Sequence, residues 1–161
     1  MGKRYEIQLT RGDMFRFQLR HTYTSIAGIV TVLLSLVGVY MLVSKWNVAT
    51  DTYKIALLFV ALYAPVVEPV RLFLRAAQQV KSPTLAKAIG YEFEEEGVIL
   101  SQDTDRVVIP WERVSKIIPT RSAIYMYLDK VRGYILPVRN LQGDEQKIVE
   151  YMMRMREAHK E

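Results

Sequence analysis

The sequence contains no cysteine and only two histidines, and these shortages exclude several kinds of chemistry. Without thiols the chain forms no disulfide, no thiolate nucleophile and no cysteine-ligated metal site. His21 and His159 lie far apart in the sequence, and neither has a cluster of carboxylates beside it. The sequence also lacks a glycine-rich phosphate loop and a nucleophile paired with a base. We therefore expect no catalytic residue, no metal ion and no cofactor, and we do not expect an enzyme.

Charge is missing from one long stretch, Thr22–Ser44, which contains no Asp, Glu, Lys, Arg or His. At about 1.5 Å per residue, an α-helix of this length covers about 34 Å and can cross a hydrocarbon core of roughly 30 Å. The alternative is a buried helix of a soluble protein, but such a helix rarely lacks charge on every face. The stretch therefore predicts a transmembrane helix.

A second apolar stretch, Tyr53–Leu74, is also long enough to cross a bilayer, but Pro65 and Pro69 interrupt its last third. Each proline removes a backbone donor and crowds the carbonyl four residues earlier, so we expect a kink near residues 61–69. Because the connecting loop is short, the two helices would form an antiparallel transmembrane hairpin over residues 22–82. A re-entrant second segment is the alternative.

Positive charge is unevenly distributed along the chain and predicts the orientation of the hairpin. Residues 1–82 carry ten Lys and Arg against four Asp and Glu, whereas residues 83–161 carry twelve against thirteen. Five cations precede the first apolar stretch, Lys45 and Lys54 lie in the connecting loop or at its end, and four cations, beginning with Arg71, lie at the end of the second stretch or after it. By the positive-inside rule both termini are cytoplasmic. Because the excess charge lies beside the membrane segments, nucleic acid is not an expected partner.

Residues 1–21 are expected to form a cytoplasmic strand and helix. Tyr5–Leu9 alternates apolar and polar residues, as in a half-buried strand. Thr10 and Asp13 have the spacing of a capping box, so we predict that a helix begins at Arg11 and continues directly into the first span. The alternation resumes after Asp13, and a longer strand is the alternative.

Residues 83–161 are predicted to form a cytoplasmic domain of short strands closed by one amphipathic helix. Six β-type runs separated by turn residues follow one another: GYEFE, VIL, RVVI, VSKIIPT, AIYMYL and RGYILPV. After Gly143 the period changes to that of a helix, with Asp144 as the N-cap. The apolar face of that helix comprises Ile148, Tyr151, Met152 and Met155. This order outlines an α+β fold, a pleckstrin-homology-like antiparallel β-barrel with a C-terminal helix.

The sequence resembles the YcxB-like family of bacterial membrane proteins over nearly its whole length. The residues that carry the resemblance are Phe93, Gly97-Val98, Ile109-Pro110-Trp111-Glu112-Arg113-Val114, Lys116-Ile117, Thr120, Tyr125–Leu128 and Leu136-Pro137-Val138-Arg139, with Tyr5–Thr10 and Asp13–Phe17 at the start. It departs from the family pattern at Pro119, where an acidic residue is expected, and at Val138, where a basic one is. The resemblance implies a two-helix membrane hairpin with a pleckstrin-homology-like domain, and it implies no activity. If the barrel needs a seventh strand, Tyr5–Leu9 is the available segment.

Glu68 is the one acidic residue in the apolar part of the sequence. A carboxylate inside a membrane is costly and is by default a candidate for proton or ion transfer. Arg71 follows at i+3, so the two side chains could instead form a structural ion pair at the cytoplasmic interface. We favour the structural ion pair.

Four cations after the second apolar stretch are candidates for contacts with anionic lipid: Arg71, Arg75, Lys81 and Lys87. Their alternative role is to set the topology alone. The hairpin turn Glu94-Glu95-Glu96-Gly97 is acidic where a phosphate site would need Lys or Arg, so we do not expect specific phosphoinositide binding.

Trp111 follows Ile109-Pro110 and is expected to be a core or rim anchor of the barrel, and a partner-binding contact at the rim is the alternative. The first span carries small residues at i+4 spacing that would let another helix approach closely: Ala27, Thr31 and Ser35. Ala61 and Ala64 in the second span could receive this stripe within the hairpin. A homodimer through the spans is the alternative.

Together these patterns predict a multi-pass protein of the bacterial cytoplasmic membrane, with the bilayer and an unknown protein as its partners. The expected role is a membrane-anchored interaction, scaffold or sensing module. The alternative is a small transporter or lipid-handling component that uses Glu68 and the kinked second helix.

Overall fold

The chain folds into two units that are interleaved along the sequence. The computed structural model describes residues 3–129 and 132–159. The strand-rich unit combines the chain up to Met14 with the chain from Gln79 onward, and the helical unit is Phe15–Gln78. The apolar helices are therefore inserted between two parts of one folded unit.

The strand-rich unit contains two antiparallel sheets. Four strands form the first sheet in the order β1-β2-β3-β4, and three form the second in the order β5-β6-β7. The bounds are β1 Arg4–Ile7, β2 Ile89–Phe93, β3 Gly97–Gln102, β4 Asp105–Pro110, β5 Lys116–Pro119, β6 Ala123–Tyr127 and β7 Gly133–Pro137. The six strands predicted after residue 83 are confirmed.

The predicted closed barrel is wrong for the described residues, because the two sheets remain separate. β4 ends at Pro110, which has no N–H for a further ladder bond, and the chain then turns through a short 3-10 helix at Trp111–Arg113. β5 begins the second sheet by pairing with β6, with Ile117 opposite Met126. The alternation of residues marks each strand but does not determine which strands pair.

The N-terminal segment is part of the first sheet. β1 pairs antiparallel with β2, and Tyr5 lies opposite Tyr91. The outer side of this segment is covered by side chains, because Asn140 Nδ2 donates to the Glu6 carbonyl at 3.2 Å and Arg139 Nη2 donates to the Gln8 carbonyl at 3.2 Å. The predicted strand is therefore present, although it ends at Ile7.

The C-terminal helix α6, Glu145–Ala158, buries Ile148 and Met152 completely. These two residues belong to the predicted apolar face. The largest side chains buried with them in the strand-rich unit are Trp111, Tyr5, Tyr91, Phe93, Ile7, Ile124, Met126, Leu136, Leu141 and Val98. A short helix α5, Pro83–Ala86, leads into β2. Since hydrophobic burial is the main favourable term in folding, this set forms the core of the unit.

The helical unit consists of four longer helices. Their bounds are α1 Arg11–Thr24, whose first turn belongs to the strand-rich unit, α2 Ile26–Lys45, α3 Asp51–Leu62 and α4 Glu68–Gln79. A π-helical segment, Tyr63–Val67, joins α3 to α4 without a gap. The helices Ile26–Lys45 and Asp51–Gln79 are both long and apolar enough to cross a membrane.

The predicted direct continuation of α1 into the first span is wrong, because the helix breaks at Ser25. Ser25 has an extended backbone (φ −79°, ψ 155°) and its hydroxyl accepts from the Gly28 N–H at 3.1 Å, as the N-cap of α2. The predicted span Thr22–Ser44 therefore begins in the last turn of α1 and lies mostly in α2.

Candidate functional site

A cavity of about 250 Å³ lies within the helical unit where both apolar helices are irregular. Its lining residues come from α1, α2, the π-helical segment and α4: His21, Thr22, Tyr23, Ser25, Ala27, Gly28, Thr31, Tyr63, Glu68, Arg71, Leu72 and Arg75. Irregular backbone at membrane depth is tolerated where it lines a cavity or is buried in protein. We refer to this space as the Glu68 cavity.

One wall of the Glu68 cavity is formed by the break between α1 and α2. The Thr22 carbonyl accepts both the Ser25 N–H at 3.2 Å and the Ser25 hydroxyl at 2.6 Å. This carbonyl lies so close to Gly28 that a Cβ built there would be 1.9 Å from the Thr22 oxygen. Only glycine fits at position 28, because any side chain would overlap the backbone.

The π-helical segment, which contributes Tyr63 to the cavity, depends on a hydroxyl supplied by α2. The Ser35 hydroxyl donates to the Val60 carbonyl at 2.9 Å and accepts from the Ala64 N–H at 3.1 Å. In an α-helix these two backbone groups would bond to each other, so the hydroxyl occupies the place of that bond. The Glu68 N–H then bonds to the Tyr63 carbonyl, five residues earlier, as a π-helix requires.

The prolines explain why this segment needs outside partners. Pro69 has no N–H and cannot donate to the Ala64 carbonyl, which lies five residues earlier. The Tyr23 hydroxyl donates to that carbonyl instead. The irregular segment falls within the predicted region 61–69, but its π register depends on Ser35 and Tyr23, which belong to other helices.

Glu68 carries the polar chemistry of the cavity. Its side chain is only 7% exposed, and its Oε1 accepts from Arg71 Nη2 at 2.8 Å. Its Oε2 is buried and has no hydrogen-bond partner among residues 3–129 and 132–159. Because a buried acceptor without a partner is costly, the second oxygen is a position where a donor would bind.

The four cations predicted to contact anionic lipid are divided between the two units. Arg71 and Arg75 line the Glu68 cavity, whereas Lys81 and Lys87 belong to the strand-rich unit. Lys87 forms an ion pair with Asp103. The structure therefore brings only the two arginines together around Glu68.

Trp111 is a core residue, so the predicted partner-binding rim at this position is wrong. Its side chain is fully buried, and its indole N–H donates to the Glu94 carbonyl at 2.9 Å. Its ring packs edge-on against Tyr151, with the ring centroids 6.2 Å apart. The indole therefore joins the β2–β3 turn to α6, and it has no surface for a ligand.

The predicted helix-packing stripe also differs from the observed one. Ser35 contacts the second helix as predicted, and Gly38 also lies close to it, since a Cβ there would lie 3.0 Å from the Ala61 nitrogen. Sequence reasoning missed Gly38, although its position three residues after Ser35 was a usable signal.

A second polar cluster ties the N-terminal segment to the C-terminal part of the strand-rich unit. The Arg139 guanidinium donates to both oxygens of Asp13, with Nη1 to Oδ1 at 2.7 Å and Nη2 to Oδ2 at 2.6 Å. The predicted capping box is also present, because the Thr10 N–H donates to Asp13 Oδ2 at 2.8 Å. Sequence reasoning named Arg139 only as part of the family pattern and missed its pairing with Asp13, because nothing local connects the two residues.

The environment of Asp13 favours its ionised form. Burial alone would raise the pKa of this carboxyl, whose side chain is 2% exposed. Hydrogen bonds from Arg139 and Thr10 outweigh burial and hold the pKa below its usual value. The pair is therefore charged at neutral pH and makes strong bidentate hydrogen bonds.

Asp144 occupies the predicted N-cap position, but its side chain makes no capping hydrogen bond. It accepts instead from Lys3 Nζ at 2.5 Å and from the Tyr5 hydroxyl at 3.1 Å. The hydrogen bond from Lys3 is the main reason that the pKa of Asp144 is lowered. Burial and this contact raise the pKa of Tyr5 to about 12. Asp144 thus holds β1 rather than α6.

β4 is a terminal strand of the first sheet, and its first four residues have exposed side chains. It pairs with β3 on one side and is the last strand of its sheet. Val107 and Val108 are 55% and 46% exposed, and successive residues of a strand point to opposite faces. Natural proteins usually protect such an edge with charge, proline or a covering element. β4 has charged residues at its start and Pro110 at its end, so its two central valines are the part of this edge that is a candidate for strand addition by a partner.

A comparison with protein families finds one match. The family model described as YcxB-like protein matches residues 93–153, from the end of β2 into α6. Among curated proteins, no sequence matches the chain. The matched segment contains β4 and Trp111 but not the Glu68 cavity.

Proposed function

Residues 93–153 are YcxB-like, and on this premise we propose that the chain is an interaction module anchored in the bacterial inner membrane. The helical unit would hold the strand-rich unit at the cytoplasmic surface, where edge strand β4 binds a protein partner. One observation carries this proposal: β1 and β2 pair in a single sheet although both apolar helices lie between them in the sequence.

This pairing supports a hairpin topology. The chain leaves the strand-rich unit after Met14 and returns to it at Gln79. If α2 and the helix Asp51–Gln79 cross the bilayer, two crossings bring the chain back to the side from which it left. A single crossing would separate β1 from β2, so the topology requires an even number of spans.

The exposure of the apolar helices supports their placement in lipid. Only 17% of the most apolar window of α2 is buried, although a core helix of a soluble protein would be mostly buried. Leu33 and Leu36 are 56% and 59% exposed. Water contact with apolar surface costs about 25 cal/mol per Å², and a bilayer removes that cost.

The charge distribution supports a cytoplasmic location for the strand-rich unit. Five Lys and Arg precede the first apolar stretch and four lie at the end of the second or after it, against two in the connecting loop or at its end. An excess of Lys and Arg marks the cytoplasmic side of a membrane protein. Cytoplasmic termini agree with the pairing of β1 and β2 on one side.

We expect the partner to add a strand to β4. A photo-crosslinking residue placed at Val107 in the full chain should give one discrete adduct in cells. A crosslinker at Asp105 should give the same adduct in the wild type. The double variant Val107→Lys/Val108→Lys with the crosslinker at Asp105 should give no adduct, because lysines on a strand edge block further pairing. Both valines are exposed, so the variant should unfold at the same temperature as the wild type.

Met153 provides the matched control, because it is also apolar and exposed but lies on α6. A Met153→Lys variant should leave the adduct unchanged. Equal loss of the adduct in both variants, or no adduct from β4 positions, would count against the edge as the binding site.

A further inference from the structure

The Glu68 cavity has a feature that anchoring does not require. Glu68 Oε2 is buried and has no hydrogen-bond partner in the described ranges, while its other oxygen already binds Arg71. A purely structural ion pair would be satisfied by Arg71 alone, with the second oxygen in solvent. Glu68 instead lines a cavity that has room for a ligand, and its second oxygen is buried beside Arg71 without a partner.

The other groups around the cavity favour an anion. Arg75 lines the same space, one turn after Arg71, and forms no salt bridge within the described part of the chain. Ala27 and Gly28, in the first turn of α2, also line it. The N-terminus of a 20-residue helix carries a partial positive charge, although the Gly28 N–H is already bonded to the Ser25 hydroxyl.

A ligand that binds both Glu68 and the positively charged part of the cavity needs two groups of opposite charge. It needs a cationic group with N–H donors for Glu68 Oε2, and an anionic group with several acceptors for Arg75 and the start of α2. The one carboxylate and two arginines give the site a net charge of +1, so a ligand with a positive net charge is disfavoured. The cavity, of about 250 Å³, accommodates a small headgroup.

We propose that the Glu68 cavity binds a headgroup that carries both a primary ammonium and a phosphate, the chemistry of an aminophospholipid. The ammonium donates to Glu68 Oε2, and the phosphate accepts from Arg75 and from the first turn of α2. The apolar surface of the helical unit gives the acyl chains a place to lie. This inference does not depend on the partner of β4.

The chemistry predicts an order among common lipids. A choline headgroup has the same phosphate but no N–H, so it leaves Glu68 Oε2 without a donor. A glycerol headgroup has the phosphate but no cation. Phosphatidylethanolamine should therefore bind more tightly than both phosphatidylcholine and phosphatidylglycerol.

Native mass spectrometry of the purified full chain tests this order. The protein is mixed with equal amounts of the three lipids carrying identical acyl chains, and the retained lipids are counted. We expect the retained amount of phosphatidylethanolamine to exceed that of each other lipid by about fivefold or more. This ratio corresponds to the free energy of one additional charge-assisted hydrogen bond. This ranking uses the unmodified protein, so it does not rely on any variant that fails to fold.

Two variants separate the two halves of the site. Glu68→Gln should bring the ratio of phosphatidylethanolamine to phosphatidylcholine close to one, because the amide attracts an ammonium weakly. Arg75→Gln should reduce the retention of all three lipids, since each carries a phosphate. Two variants serve as controls. Asp51→Asn changes a carboxylate at the start of α3 that is 95% exposed, and Lys81→Gln changes a cation that does not line the cavity. Neither control should change the ranking.

Soluble phosphoethanolamine distinguishes the source of the headgroup. Displacement of retained phosphatidylethanolamine by the soluble compound supports the lipid as the ligand. Binding of the soluble compound without retention of the lipid supports the same ammonium and phosphate site with a soluble source. Equal retention of ethanolamine and choline lipids, preference for phosphatidylglycerol, or an unchanged ratio in Glu68→Gln overturns the proposal.

Discussion

Ser35 and Asp13 are polar residues whose partners lie in distant parts of the sequence. The Ser35 hydroxyl connects the Val60 carbonyl to the Ala64 N–H and thereby opens the second apolar helix. The Asp13 carboxylate binds Arg139 through two hydrogen bonds and closes the strand-rich unit around its N-terminal segment. Each group bonds to buried polar atoms that would otherwise lack a partner. Its removal should therefore cost more stability than the loss of an exposed hydrogen bond.

Asp13→Asn should make the strand-rich unit less stable at neutral pH, by about 2 kcal/mol, because it removes charge-assisted hydrogen bonds to Arg139. The pKa of Asp13 is lowered in the folded state, so its contribution is present above the ordinary pKa of about 3.9. It is lost as the pH falls through the lowered pKa. The wild type should therefore lose stability on acidification below about pH 4 by more than the variant does.

Free energies of unfolding measured against pH check this prediction. Asp103→Asn is the matched control, because Asp103 also forms an ion pair but its side chain is 61% exposed. Exposed pairs contribute about 0–1 kcal/mol, so the control should change little. Equal effects of the two variants would contradict a special role for Asp13.

The same residues show how far single positions can be predicted. The spacing of Thr10 and Asp13 is a local signal, and it correctly predicts the capping box. The pairing of Asp13 with Arg139 depends on the tertiary fold, so no local spacing in the sequence predicts it. Trp111 could be in the core or at a rim by sequence alone, and burial behind α6 decides for the core.

At the scale of elements, each of the two apolar stretches contains an irregular segment. One of the two segments is easier to recognise in the sequence than the other. Pro65 and Pro69 mark the irregular part of the second helix, because neither can donate a backbone hydrogen bond. The break at Ser25 is less visible, since it depends on the close contact of the Thr22 carbonyl with Gly28. The strands were predictable from alternation, but their division into two sheets depends on the turn after Pro110.

Gly28→Ala should destabilise the helical unit by about 1–3 kcal/mol, the usual cost of overpacking. The added methyl would lie 1.9 Å from the Thr22 oxygen, so the break between α1 and α2 must move. Gly12→Ala is the control, because its nearest neighbour would be the Thr10 hydroxyl oxygen at 3.8 Å. That variant should be neutral or stabilising by up to about 1 kcal/mol, since alanine favours helices.

Unfolding of both variants in detergent, followed by circular dichroism, measures the difference. If Gly28→Ala is as stable as Gly12→Ala, the close contact with Thr22 does not hold the break in place. The same comparison tests the wall of the Glu68 cavity, because Gly28 lines it.

At the scale of the whole molecule, the two covalent connections between the units support the proposed hairpin topology. A sheet that contains residues from both sides of the apolar insertion keeps the two ends of that insertion on one side of a bilayer. The charge count gives the same arrangement by an independent route. We therefore propose a hairpin with its connecting loop outside and the strand-rich unit in the cytoplasm.

Labelling of single cysteines in intact cells tests this claim most directly, because the chain has no cysteine of its own. Asn47 lies in the connecting loop, Thr104 in the β3–β4 turn and Glu157 in α6, and all three are exposed. A membrane-impermeant thiol reagent should label Asn47→Cys from outside, and it should label Thr104→Cys and Glu157→Cys only after the membrane is opened. Labelling of Thr104→Cys in intact cells, or protection of Asn47→Cys, would contradict the hairpin.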